Sequence, residues 1–189
     1  MKKTALFLID VQVDFCDGGA LAVSQGNQVV PVCNQLISMA QAAGCPVLAS
    51  RDWHPADHCS FKQFGGPWPV HCVAGQPGAN FNAELKLPAD VTIVSKGTNP
   101  KAEAYSAFDG TTAAETLRAA GVEHLVMCGL ATDYCVKFSV LDALKAGFDV
   151  TVVAEGCRAV NVQPGDDKKA LEEMKAAGAT VCQLSEVKF

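Results

Sequence analysis

The sequence predicts an α/β protein: a three-layer α/β/α domain around a parallel sheet of about six strands. Two observations carry this. Short continuous apolar runs alternate with amphipathic stretches almost throughout, and the runs lack the alternating polar positions of a half-exposed sheet. Reactive polar residues also stand where apolar runs stop, as expected where an open parallel sheet presents the carboxyl ends of its strands to a ligand.

The strand signals are Thr4–Asp10, Pro46–Ser50, Val91–Ser95, His124–Gly129, Val150–Ala154 and Thr180–Leu184. Helix signals lie between them. Val29–Ala43 has apolar positions at helical spacing and stops at Gly44. Thr112-Ala113-Ala114-Glu115 reads as a capping box opening a helix that stops at Gly121. Tyr134–Ala146 stops at Gly147, and Asp166–Ala177 at Gly178, each glycine suiting a left-handed cap. The exception is 51–89, an insertion rich in Pro, Gly, His, Trp and Phe without clear periodicity. An insertion of that length is usually functional. We read residues 1–189 as one domain carrying it.

Composition narrows the function. Apolar residues make up 49% and charged residues 19%, which suits a folded chain with a sizeable core. The net charge of −5 argues against nucleic acid or an anionic membrane as partner. No apolar run reaches the ~18 residues a membrane span needs. Met1-Lys2-Lys3 is followed by an apolar stretch that Asp10 interrupts, unlike a secretory leader, so a cytoplasmic location is expected. The nine cysteines include no Cys-x-x-Cys pair and do not suggest a disulfide framework. Cys33, Cys45, Cys128, Cys157 and Cys182 fall in apolar patterns and read as core.

Cys135 differs. It sits in Gly129-Leu130-Ala131-Thr132-Asp133-Tyr134-Cys135-Val136, between a strand signal and a helix signal. A helix start favours thiolate through its free N–H groups and dipole. Asp10 and Lys96 end two other strands. Lys96 would stabilise a thiolate and Asp10 would take its proton. The N–H groups of Cys135 and of the Leu130–Ala131 turn offer an oxyanion site. Each residue alone has a plainer reading: a turn aspartate, a solvated lysine, a core cysteine. Their matching topological positions favour chemistry.

Asp52 and His54 are two apart, so an extended chain points both to one side. His71 and His58 lie in the same insertion. Two histidines and a carboxylate suit Zn²⁺, with Fe²⁺ or Mn²⁺ as alternatives, and His58 is a fourth ligand or a supporting group. The plainer reading is a polar loop whose histidines cap and hydrogen-bond. A structural zinc on Cys59 and Cys72 is a lesser option. Phe15, Trp68 and Tyr105 would either cover the sheet edge or wall a flat ring substrate. Trp53 reads as packing, and His124 as structural.

Together these segments resemble the isochorismatase-like cysteine hydrolases, and within them the nicotinamidase/pyrazinamidase family. The resemblance runs nearly end to end. It rests on Ile9–Phe15, Arg51–Phe61, Trp68–Val73, Lys96–Thr98, Tyr105–Phe108 and Gly129–Val136. It implies a sheet order of 3-2-1-4-5-6, a Cys135 nucleophile attacking a carboxamide, Asp10 as acid and base, and Lys96 supporting the thiolate. It further implies Asp52, His54 and His71 as metal ligands, with the metal holding a pyridine nitrogen. Phe15, Trp68, Tyr105 and Ala131 would bind substrate, and a cis peptide would precede Ala131. The expected reaction is nicotinamide, or pyrazinamide, to the acid and ammonia, in a possible homo-oligomer as relatives often are. A related hydrolase acting on another small amide or a vinyl ether is the near alternative; a non-catalytic zinc or redox domain is the distant one. A dinucleotide oxidoreductase is disfavoured because no Gly-x-Gly-x-x-Gly follows the first strand. Departures from the family pattern are small: Asn99 and Glu103 stand where aspartate is common, and Cys59 is untypical.

Overall fold

A computed structural model describes residues 2–189. Six parallel strands form one sheet in the order β3-β2-β1-β4-β5-β6. They are β1 (Thr4–Ile9), β2 (Val47–Asp52), β3 (Thr92–Lys96), β4 (His124–Leu130), β5 (Asp149–Arg158) and β6 (Thr180–Cys182). All six residues of β1, and all of β4 beyond His124, are buried. Both faces of the sheet centre are therefore covered, which is why these strands are continuously apolar. The helices are α1 (Val29–Ala42), α2 (Ala113–Ala119), α3 (Lys137–Lys145) and α4 (Asp166–Ala176). Helix α1 packs on β1 and β5; α3 and α4 pack on each other and on β5 and β6. Among the described residues no helix is long and apolar enough to cross a membrane, and all nine cysteines are free.

The strand order reverses direction at β1, which pairs with β2 on one side and β4 on the other. The carboxyl ends of β1 and β4 flank this switch point, where a ligand crevice opens in such sheets. Gly129 permits the close pairing there. A Cβ on it would lie 2.0 Å from the Ile9 carbonyl oxygen, and its φ is +131°.

Three local expectations are corrected. Strand β2 runs on to Asp52, so Arg51 and Asp52 belong to the sheet rather than the insertion. They pair with Ser95 and Lys96 of β3, which itself ends at Lys96. The Thr112 capping box does not form: Thr112 has φ −97° and ψ 17°, not the extended shape that aims its side chain at the helix start, and makes no capping bond. Thr111 Oγ1 instead accepts the Ala113 N–H at 3.3 Å. The helix expected from Tyr134 starts at Lys137 and is preceded by a π-turn, Thr132–Val136, closed by the Val136 N–H on the Ala131 carbonyl at 3.1 Å.

Candidate active site and metal centre

Asp10 leaves β1 in a left-handed conformation, φ 48°. That turn is pinned by Ser50 of β2, whose hydroxyl donates to Asp10 Oδ1 at 2.6 Å and whose carbonyl accepts the Asp10 N–H at 3.2 Å. Lys96 starts two strands away. Neighbouring strands lie about 4.8 Å apart, so only a long side chain spans the gap to β1. Lys96 does so, passing the end of β2. Its Nζ lies 2.5 Å from Asp52 Oδ1, 2.9 Å from Asp10 Oδ2 and 3.3 Å from Cys135 Sγ, and also donates to the Ala104 carbonyl at 3.3 Å. The Asp10, Asp52 and Cys135 donor atoms all lie within 4.8 Å of one another. The three strand-end residues thus meet, fully or nearly fully buried.

One ammonium here serves two carboxylates and a thiol. Burial penalises the Asp52 carboxylate, but Lys96 and His54 outweigh it and hold Asp52 below the usual carboxylate range. Burial raises Asp10, and the pull of Lys96 and Ser50 does not restore it. Asp10 Oδ2, although near the ammonium, has no well-aligned hydrogen bond. Its lone pairs remain open to a proton. Burial pushes the Cys135 thiol well above 9, because Lys96 is shared and both carboxylates oppose a thiolate. Lys96, 3.3 Å from Sγ, works against this and favours the thiolate. The Leu130–Ala131 peptide is cis.

The second cluster joins the first through Asp52. Its Oδ1 faces Lys96, while Oδ2 lies 3.4 Å from His54 Nε2 and 3.8 Å from His71 Nε2. The Gly97 carbonyl, 2.8 Å from His54 Nδ1, can only accept, so Nδ1 carries the proton and Nε2 presents a lone pair. The Pro69 carbonyl does the same for His71 at 2.8 Å. His54 Nε2 is buried with no hydrogen-bond partner. Two imidazole lone pairs and a carboxylate oxygen therefore converge with no donor between them. That orphaned set fits a divalent cation, with carbonyl-bound Nδ1–H groups orienting the ligands from behind. Burial disfavours protonation of both rings; Asp52 outweighs it at His54, whose proton affinity is raised, but not at His71, whose affinity is lowered.

His58 lies outside this set. Its Nε2–H donates to the Ala102 carbonyl at 3.1 Å and its Nδ1 accepts from Ser60 Oγ at 2.7 Å, so neither nitrogen is open. Its ring stacks on His54 at 4.1 Å. Cys59 and Cys72 join no metal-ligating group among the described residues. Trp53 packs under the Arg51 guanidinium, 3.6 Å from the ring centroid. His124 sits at the amino end of β4, bonded to Thr151 Oγ1 at 2.9 Å.

A cleft opens above Cys135 and Asp52. Phe15, Trp68, Tyr105 and Ala131 all line it, with His71 at its metal side. The Trp68 indole N–H donates to Tyr105 Oη at 3.0 Å, and both rings pack on Tyr134. Burial and its neighbours push the Tyr105 hydroxyl up to about 12, so it stays a neutral wall.

Sequence reasoning passed over several residues. Tyr134, Leu21, Val160 and Glu103 also line the cleft. Gln12 is wholly buried and locks the β2 end: its amide donates to the Asp52 and Ala79 carbonyls at 2.8 and 2.9 Å and accepts the Asp52 N–H at 2.8 Å. Asp14 ties down the insertion by accepting the Cys72 N–H at 2.7 Å. Asp133 accepts the N–H groups of Val160 and Asn161 at 2.9 and 2.8 Å, fixing the far wall. Nothing local in the sequence singles out Gln12 or Asp14, because the groups they bind lie 40 or more residues away.

The isochorismatase domain pattern matches residues 4–186. The chain belongs to the isochorismatase family. Among family members, the nicotinamidase of Escherichia coli (strain K12) is 44% identical over 207 aligned positions, covering 98% of this chain and 97% of its own. The pyrazinamidase of Pyrococcus horikoshii, solved in complex with zinc, is 45% identical with a TM-score of 0.92, covering 96% of this chain and 99% of its own. PnC1 from L. infantum, solved in complex with nicotinate, is 35% identical with a TM-score of 0.90, covering 97% and 94%. The sheet order and layers agree with these isochorismatase-fold structures.

Proposed function

We propose that this chain is a nicotinamidase, hydrolysing the carboxamide C–N bond of nicotinamide, and of its analogue pyrazinamide, to the acid and ammonia. The observation that carries this reading is the placement of Cys135 Sγ, Lys96 and Asp10 beside an imidazole–carboxylate cation site in one aromatic-walled cleft. The extended similarity to the nicotinamidase of E. coli and to the zinc-bound pyrazinamidase supports it.

Asp52, His54 and His71 would hold the cation, zinc by their donor chemistry and by the P. horikoshii relative. When bound, the cation supplies a Lewis-acidic partner for the lone pair of a ring nitrogen. Phe15 and Trp68 hold the ring, and the N–H groups of Ala131 and Cys135 take the amide oxygen as charge develops on it. Because the thiol is held protonated, its proton passes to Asp10 Oδ2 as the S–C bond forms, with Lys96 holding that carboxylate in place. Asp10 then gives the proton to the amine nitrogen, the C–N bond breaks and ammonia leaves. Water attacks the thioester, Asp10 takes its proton, and Sγ regains that proton as the acid departs. A reducing, cytoplasmic setting suits an enzyme that depends on a free thiol among nine.

The test is ammonia release from nicotinamide by the purified protein, by the same sample after chelation, and after zinc is returned. The expected result is turnover, loss and recovery. No release from nicotinamide by zinc-loaded protein, with release from a non-pyridine amide, would assign it to a different hydrolase.

A further inference from the structure

The chemistry above uses every charged side chain around the cleft except Glu103. Glu103 lines the cleft opposite no cation: among the described residues of the wall there is no lysine or arginine, and Glu103 takes part in no ion pair. Asp52, the other carboxylate of the wall, is tied to Lys96. Glu103 is held in place locally. Its Oε1 accepts the Ala104 N–H at 3.0 Å, and the Ala104 carbonyl accepts from Lys96. It shares the cleft lining with His71 of the metal side and Tyr105 of the aromatic wall.

The reaction, on the reading proposed above, turns a neutral amide into an anion in the same cleft. A divalent cation and the Lys96 ammonium would both favour that anion over the substrate. A carboxylate on the wall offsets this. We propose that Glu103 is a charge-selecting residue: it weakens binding of ring compounds that carry a carboxylate, the product among them, and leaves neutral ones unaffected. Two like unit charges at about 8 Å and an effective dielectric of about 20–40 repel by an amount that corresponds to a contrast of roughly five- to thirty-fold.

The experiment compares zinc-loaded wild type with Glu103→Gln by calorimetry, using nicotinate as the anionic ligand and 3-acetylpyridine as a neutral one of similar shape. The expected result is nicotinate binding about five- to thirty-fold tighter to the variant, with 3-acetylpyridine changed less than about two-fold and added salt narrowing the gap. Unchanged nicotinate affinity, or an equal change for both ligands, overturns the proposal. So does a lower zinc content in Glu103→Gln, which would make the residue a support of the metal site. Failure of wild type to release ammonia from nicotinamide would refute the parent reading; the binding contrast needs no turnover and decides Glu103 separately.

Discussion

The two halves of this site are built differently. Asp10, Lys96 and Cys135 come from the ends of regular strands or the turn directly after one, and hydrogen-bonded pairing between β1, β2, β3 and β4 sets their spacing. His54 and His71 come from an insertion tied by scattered contacts: the His54–Val73 backbone bridge, one loop carbonyl behind each ring, the Asp14–Cys72 bond and the Gln12 amide on Ala79. Asp52 belongs to both, giving one oxygen to Lys96 and the other to the imidazoles. The strand-borne half should therefore fail with the fold, and the loop-borne half should fail alone.

The largest effect is expected at Lys96. Lys96→Met leaves Asp10 and Asp52 buried without their cation, a loss of about 3–5 kcal/mol in denaturant unfolding together with loss of turnover. A variant as stable as wild type would mean that the ammonium does not hold the strand ends together.

Gly97→Ala sharpens the contrast from the other side. Gly97 has φ +62°, and a Cβ there would lie 2.4 Å from His54 Cε1. The ring must move, and zinc affinity should fall about 10–100-fold, as when a group behind a ligand is lost. Metal titration of the folded variant reads this. Unfolding before metal loss would show that the halves are not separable.

A smaller effect concerns the thiol. Burial keeps Cys135 protonated, so alkylation of metal-free protein by iodoacetamide, followed by mass spectrometry at Cys135, should keep rising with pH through 9 without a plateau. A plateau at neutral pH would mean that Lys96 outweighs burial after all.

The strand-borne half was the more legible in sequence, and for a physical reason. A strand buried on both faces must be apolar, so a charged residue at its end stands out, as Asp10 and Lys96 do. The same rule misplaced Asp52: Arg51-Asp52 is polar and reads as loop, yet pairs with β3. In the insertion, residue types indicated a cation site, and the two-residue spacing correctly put Asp52 and His54 together. Nothing local distinguished His58 from His54, because the difference lies in which carbonyl or hydroxyl each ring meets. Gln12 and Ser50 were equally hidden, since their partners are remote in the chain.

The account rests most directly on Cys135. Ammonia release from nicotinamide should be measured for zinc-loaded wild type and Cys135→Ala, with zinc content and nicotinate binding determined on the same samples. The account predicts that the variant keeps its zinc and binds nicotinate but releases no ammonia above the uncatalysed rate. Turnover by the variant comparable with wild type would contradict it.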